Sequence, residues 1–316
     1  MWTICVLLTI LLWGVTDVLY KKGANKDDRY IPYKFSITIG LVFFIIAVCY
    51  LVIREEPFSI WESAVRFWPV TLFGMVYAIV NTITFQGFMY NEASIVAPIE
   101  NIANGSYVIL LVLFYVLIGR VDSVWDVLSP HKIAGILFIF VGLVLLGIVQ
   151  NKEAREKGLI KKGSFRTGAN ALIFPIIFSF MDGVETIITG VCLDKTYGFA
   201  MPEGDSVIIV GMEYAIFAFA FWIYVSYKEK RVFNPFVKSN LPLIGGALCD
   251  NIAIVIYAYA MAIDSVATDP ILAVYPVLAV LLSRIFLKEK LSVKQYVCLS
   301  LILIGSVIIV VGQNVV

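Results

Sequence analysis

Ten apolar runs account for most of the 316 residues, and short polar stretches separate them. They cover 2–20, 33–53, 69–90, 94–118, 133–150, 170–190, 206–227, 241–262, 267–287 and 293–312. As a helix, each run is long enough to cross the ~30 Å hydrocarbon core of a bilayer. The pattern predicts an all-α integral membrane protein with ten transmembrane helices. Runs three and four, and runs eight and nine, are joined by very short turns, so each pair forms an antiparallel hairpin. The longest connection, Asn151 to Ala169, falls at the midpoint. It divides the chain into a first five-helix unit (1–150), a linker (151–169) and a second five-helix unit (170–316). Residues 57–68, with Trp61, Phe67 and Trp68 among polar neighbours, carry the mix expected at a headgroup interface.

Composition agrees with this reading. Hydrophobic residues make up 60% and charged residues 15%, with a mean hydropathy of +0.92; soluble domains carry about 25% charged residues. A net charge of +1 gives no global pull toward nucleic acid. The first run starts at Met1 without a basic leader and ends at Lys21-Lys22, the mark of a retained span rather than a cleaved signal. Cys5, Cys49, Cys192, Cys249 and Cys298 are scattered without a CxxC motif and read as small buried hydrophobes. The single histidine, His131, next to Pro130, is expected in a solvated loop, which argues against a zinc site or a His-based triad. No phosphate-binding Gly-x4-Gly-Lys-Ser/Thr loop occurs. The midplane aspartates lie in FMDGVE and LCDNIA, without the GxGD pattern of intramembrane aspartyl proteases. The expectation is therefore no enzyme, no cofactor and no metal.

The basic residues set an orientation. Most of the 24 Lys and Arg side chains fall in or beside the connections that follow odd-numbered spans, in four clusters beginning at Lys21, Lys152, Lys228 and Arg284. Only Arg54, Arg66, Arg120, Lys132 and Lys195 fall on the other side. By the positive-inside rule the rich side is cytoplasmic and both termini are outside, in a plasma (inner) membrane.

The two halves also repeat each other. At an offset of 172, Gly74 meets Gly246, Met89 meets Met261, Glu92 meets Asp264 and Pro98 meets Pro270. At 163, GLVLLGIVQN (142–151) lies on GSVIIVVGQN (305–314). Five spans per half make the second copy enter the membrane in the opposite sense, giving two inverted repeats, a design found in secondary transporters.

These features together resemble the EamA family of the drug/metabolite transporter superfamily. The resemblance rests on five-plus-five spans, the short third and eighth turns, Pro276-x12-Glu289 followed by Leu-Ser, and the glycine-bearing tenth span with Gly305. It extends over essentially the whole chain. The first half departs from it, with Asn104 where Pro276 stands and Arg120 in the region of Glu289. The resemblance implies ATP-independent movement of small metabolites through a central cavity. Some members of the family keep their termini in the cytoplasm, which disagrees with the charge bias.

Charged and amide side chains at depth are the candidates for chemistry, because an ionised group at the bilayer centre costs at least ~2.5–3.5 kcal/mol. Asp182 and Asp250 lie near the midplane of their spans. Glu185, Glu213, Glu100 and Asp17 lie a turn or more away. All of these are acidic, and no Lys or Arg lies mid-span, so they must be protonated, hydrated or paired with a bound cation. Asp17 near Lys21, and Asp269 before Pro270, also read as helix-end residues. Asp182 and Glu185, three apart, share a helix face. Glu100, Asn101 and Asn104 share an arc of span four, and Asn81 adds an amide at similar depth. Trp13, Tyr77, Tyr107, Tyr257 and Tyr275 are expected to wall the cavity, a lining suited to an organic cation. The expected substrate-binding set is Asp182, Glu185, Asp250, Glu213, Glu100, Asn101, Asn104, Asn81 and the five aromatics, without Asp17 and Asp269, and with Asp182, Asp250 and Glu100 exchanging protons. Gly135, Gly142, Gly147 and Gly305 read as close-packing sites, which leaves monomer and homodimer both open.

The expected function is secondary transport of a small cationic or amine-bearing metabolite, proton-coupled and by alternating access. Transport of a neutral or zwitterionic metabolite, such as an amino acid or nucleobase, is the alternative. The expected partners are the small-molecule substrate and the lipid bilayer. Phosphorylated substrates are disfavoured, since no buried cation waits for a phosphate.

Overall fold

The computed structural model describes residues 1–25, 27–54, 57–90, 93–100, 104–156, 173–272, 274–288 and 292–313. Among them every regular element is helical. The long helices are α1 (Trp2–Gly23), α2 (Ile31–Ile53), α4 (Trp68–Thr84, continued by α5, Gln86–Tyr90), α8 (Pro130–Glu156), α9 (Ile173–Leu193), α10 (Glu203–Glu229), α11 (Leu241–Ile263) and α14 (Val293–Gln313). A short helix, α3 (Ile60–Arg66), precedes α4. Four shorter helices complete the set: α6 (Ala93–Glu100) and α7 (Asn104–Leu117), on either side of residues 101–103, which lie outside the described ones, and α12 (Ser265–Leu272) and α13 (Tyr275–Phe286), with a turn at Val274 before α13. Eight stretches are long and apolar enough to cross a membrane, counting α4 with α5 and α12 with α13 as one each. Tyr107–Leu117 and Val293–Gly305 are shorter apolar helices.

Local sequence explains the starts and stops. Prolines stand in the first turn of α2, α4, α11 and α13 (Pro32, Pro69, Pro242, Pro276), where a missing N–H costs nothing. Lys21 and Lys22 close α1, as suits the negative end of a helix dipole. Several sequence expectations need correction. The first helix runs to Gly23, a turn past the apolar run, so Asp17 lies well inside it. Asp269-Pro270 does not start a helix: α12 begins at Ser265, and Pro270 lies within it. His131 is the second residue of α8 rather than a loop residue. Of the five cysteines only Cys192 and Cys298 are buried; Cys5 and Cys249 are half-buried, and Cys49 is exposed on α2. Helix α8 continues to Glu156, so the first residues of the 151–169 connection are helical, while 157–169 lie outside the described residues.

Apolar side chains cover the outside of the helices, and inside, an apolar core is interspersed with buried polar residues such as Thr9, Thr16, Asp17, Thr38 and Asn251. On α1, Ile4, Leu7, Leu8 and Leu11 form an exposed apolar stripe at helical spacing. Trp61 and Trp68 are exposed beside α3, whereas Phe67 between them is buried. The most extensive packing pairs α2 with α10, α8 with α14 and α1 with α11, followed by α1 with α13 and α4 with α9. The shorter helices cross, α6 against α13 and α7 against α12.

Glycine permits the tightest of these contacts, since helices in lipid associate by close van der Waals packing. A Cβ at Gly305 would lie 2.6 Å from the Gly135 carbonyl oxygen, and one at Gly142 would lie 2.7 Å from Ile302. These glycines therefore seat α14 on α8 within the chain. Ion pairs hold α2 to α10 at both ends. Lys34, itself buried, bonds Asp28 at 2.7 Å and also Glu229, while Arg54 pairs with Asp205, which accepts from Ser63 at 3.0 Å.

Candidate functional site

The cavity faces are written in helical spacing. On α1, Trp13, Thr16, Asp17 and Tyr20 stand at i, i+3, i+4 and i+7, and all four line a central cavity of about 150 Å³. On α9 the same spacing presents Asp182, Glu185, Thr186 and Thr189 to it. Helix α11 adds Asp250, Ile254 and Tyr257, α4 adds Gly74, Tyr77 and Asn81, and Glu100 and Tyr275 come from α6 and α13.

Five carboxylates therefore line one cavity: Asp17, Glu100, Asp182, Glu185 and Asp250. Among the described residues no Lys, Arg or His lines it. The carboxylates are held apart by their partners. Tyr20 donates to Asp250 Oδ2 at 2.9 Å, Tyr77 donates to Asp182 Oδ1 at 2.7 Å, and Thr189 donates to Glu185 Oε1. Asp17 Oδ2 is buried with no hydrogen-bond partner among the described residues. Glu100, at the end of α6, is 4% exposed. Among the described residues no three His, Cys, Asp or Glu side chains come together as a metal cage would require. Acids spread around a space suit a molecule larger than an ion.

One wall of the cavity is aromatic. The Trp13 ring lies 5.4 Å from Tyr257 and 5.6 Å from Tyr275, centroid to centroid and tilted to both. Toward the basic end, a second aromatic cluster fills the space. Phe35 stacks on Phe85 at 4.1 Å, and Tyr20 meets Phe35 edge-on at 4.8 Å. Phe35, Phe85, Phe88 and Tyr20 are all buried, and Lys21 donates to the Phe88 carbonyl at 2.8 Å.

Of the residues expected from sequence, Asp182, Glu185, Asp250, Glu100, Asn81, Trp13, Tyr77, Tyr257 and Tyr275 line this cavity. Two do not. Glu213 is buried beside Gly74 without lining it, and Tyr107 packs across α9 at Gly183, where a Cβ would lie 2.1 Å from its ring. Asn101 lies outside the described residues; Asn104 opens α7, its side chain outside them as well. Asn251 is structural: its Nδ2 donates to the Ile39 carbonyl at 3.0 Å. Asp17, Tyr20, Tyr214 and Thr189 belong to the cavity without having been in the expected set. The signal for the first two was present, since Trp13, Thr16, Asp17 and Tyr20 form a polar stripe at helical spacing in an otherwise apolar run.

Comparison with known proteins adds a family match over part of the chain and a fold. Residues 188–311 match the profile of the EamA-like transporter family, which belongs to the drug/metabolite transporter superfamily of membrane transporters. No curated protein matches the chain by sequence search. A crystal structure described simply as that of a protein superposes with a TM-score of 0.63 at 16% identity, covering 98% of this chain and 97% of the other. The whole chain thus shares its fold with that structure, and the EamA match falls on the second half.

Proposed function

We propose that this multi-pass membrane protein is a secondary transporter of a small organic cation or amine-bearing metabolite, working by alternating access and exchanging protons on its cavity carboxylates. One observation carries the reading: among the described residues, five carboxylates and no basic side chain line the same cavity. Negative charge in a low-dielectric space is costly and is met by protons, water or a cationic ligand. The Trp13–Tyr257–Tyr275 wall supplies the ring faces that attract an organic cation. Asp182, Asp250 and Glu100 are the residues we assign to proton exchange.

The helix pairing supports two inverted five-helix repeats. Exchanging each first-half span with its second-half counterpart turns the α1–α11 pair into α9–α4. It maps α2–α10 and α8–α14 onto themselves and swaps α6–α13 with α7–α12. Such exchange symmetry is what lets two copies trade conformations and move access from one side to the other. In this reading spans 1–4 rock against spans 6–9. The aromatic cluster of Tyr20, Phe35, Phe85 and Phe88 closes the basic end, and the Lys/Arg bias puts that end in the cytoplasm with both termini outside.

Thermal-shift binding with organic cations, zwitterions and anions at two pH values tests the reading. Cations should stabilise the protein, and Asp182→Asn and Asp250→Asn should weaken that effect. Stabilisation by anions alone would overturn the cation assignment. Stabilisation by zwitterions alone would favour a neutral or zwitterionic substrate, a reading supported by the tyrosine hydroxyls that already engage Asp182 and Asp250.

A further inference from the structure

Glu213 precedes the cavity residue Tyr214 on α10 but does not itself line the cavity; its carboxylate lies against Gly74, which does. It is 4% exposed, and neither Oε1 nor Oε2 has a hydrogen-bond partner among the described residues. It rests on the backbone of α4, where a Cβ at Gly74 would fall 1.9 Å from Oε2.

The charged and titratable groups on the elements around α10 are engaged elsewhere. On and beside α2, Lys34 is bound to Asp28 and Glu229, Tyr50 meets Tyr259 of α11, and Arg54 pairs with Asp205. On α3, Glu62 is exposed and Arg66 lies over the Phe67 ring. On α4, Tyr77 bonds Asp182; on α11, Asp250 accepts from Tyr20 and Tyr257 packs on Trp13. A bare carboxylate with neither counter-ion nor donor is among the costliest groups to bury in a bundle within lipid. A proton on one oxygen removes that charge.

We propose that Glu213 is a protonation site separate from the cation cavity, occupied while α4 and α10 are closed on each other. Its role in coupling rests on the transporter reading above; the site itself does not. When α4 draws away from α10, water reaches the carboxyl, its O–H bond breaks, and the proton leaves as hydronium. Reclosing runs the step in reverse. Helix α4 connects this site to the cavity, because Gly74 faces Glu213 and Tyr77, on the next turn, holds Asp182 at 2.7 Å. A shift of α4 therefore moves both contacts together.

The test uses the reconstituted full chain at neutral pH. Infrared spectroscopy should detect a protonated-acid carbonyl band that Glu213→Gln, a near-isosteric change, removes. Gly74→Ala should remove the same band with Glu213 present, by forcing the carboxyl off α4. In proteoliposomes, Glu213→Gln should lower the number of protons moved per organic cation by one while leaving cation affinity within about two-fold. An unchanged band in Glu213→Gln, or an unchanged proton ratio, overturns the proposal. If the wild-type protein binds no organic cation, the transporter reading fails, and the infrared comparison still decides the protonation site.

Discussion

Tyr20 on α1 donates its phenol hydroxyl to Asp250 Oδ2 on α11 at 2.9 Å, so one helix pair supplies both the cavity acid and the group that orients it. A hydrogen bond to a charged group contributes about 1.5–3 kcal/mol. Tyr20→Phe keeps the ring, and with it the edge contact to Phe35, and removes only the donor. The expected outcome is a weakening of organic-cation binding by about ten-fold or more by calorimetry, following from that energy. An unchanged affinity would separate Asp250 from the binding site.

Asp17 behaves differently from its neighbours. Its Oδ2 is buried without a partner among the described residues, and it lines the cavity with Glu100 and Asp250. Removing an uncompensated buried acid relieves a desolvation cost. Asp17→Asn is therefore expected to raise the thermal midpoint in detergent and, in the same protein, to weaken cation binding. That opposition of stability and function marks a binding residue. A lowered midpoint would assign Asp17 to holding the fold together.

Much of this arrangement was legible in the chain, for identifiable reasons. Twenty-residue apolar runs are unmistakable: among the described residues each overlaps helix, and eight stretches are long and apolar enough to cross a membrane. Acids at mid-span stand out for the same energetic reason, and Asp182, Glu185, Asp250 and Glu100 do line the cavity. Asp17 was harder to place because depth was measured from the end of an apolar run, while the helix continues through Lys21 and Lys22. The stripe Trp13, Thr16, Asp17 and Tyr20 placed Tyr20 on a polar face, but not against Asp250, a partner 230 positions away. Glu213 looked like a cavity acid by depth alone; which side of α10 meets α4 is decided by packing. The turn at Val274 leaves only a faint trace, Pro276 in the first turn of α13.

The glycines of α8 and α14 allow a sharp separation of roles. A methyl at Gly305 would meet the Gly135 carbonyl at 2.6 Å, which is backbone and cannot swing aside. Overpacking of this kind costs about 1–3 kcal/mol. Gly305→Ala is expected to lower the thermal midpoint and to leave cation affinity intact, because α8 and α14 contribute no lining residue. If the variant instead changed the oligomeric state in size-exclusion chromatography at unchanged stability, the contact would lie between chains.

The contact between α2 and α10 makes a mechanical prediction. Buried ion pairs pin it at both ends, and Gly211 brings α10 so close that an added Cβ would lie 2.5 Å from that of Ala47. If spans 1–4 rock against spans 6–9, a contact fixed at both ends sits near the axis, where displacement is least. A disulfide between cysteines at Ala47 and Gly211 requires a Cβ separation of about 3.5–4.5 Å and so a slight parting of the helices. The cross-linked protein is expected to keep transport within about three-fold of its reduced form, as a hinge region should. Complete arrest, reversed by reductant, would put the sliding surface at α2–α10.

Asp264, in the turn between α11 and α12, gives the fold a pH dependence outside the spans. Its Oδ1 accepts from the Ala267 N–H at 2.9 Å, capping α12. Burial pushes its carboxyl above the ordinary aspartate value and nearby Asp194 adds to this, while the Ala267 N–H and Lys132 oppose it. An acid whose value is raised on folding binds its proton more tightly in the folded state. Stability therefore falls as pH rises from the ordinary aspartate value, about 3.9, through the raised one. Asp264→Asn keeps a capping oxygen and removes the titration. Across that interval the wild-type midpoint should fall relative to the variant, and above it the variant should be the more stable of the two in thermal unfolding. Parallel pH profiles for the two proteins would mean that Asp264 carries the same charge in the folded and unfolded chains.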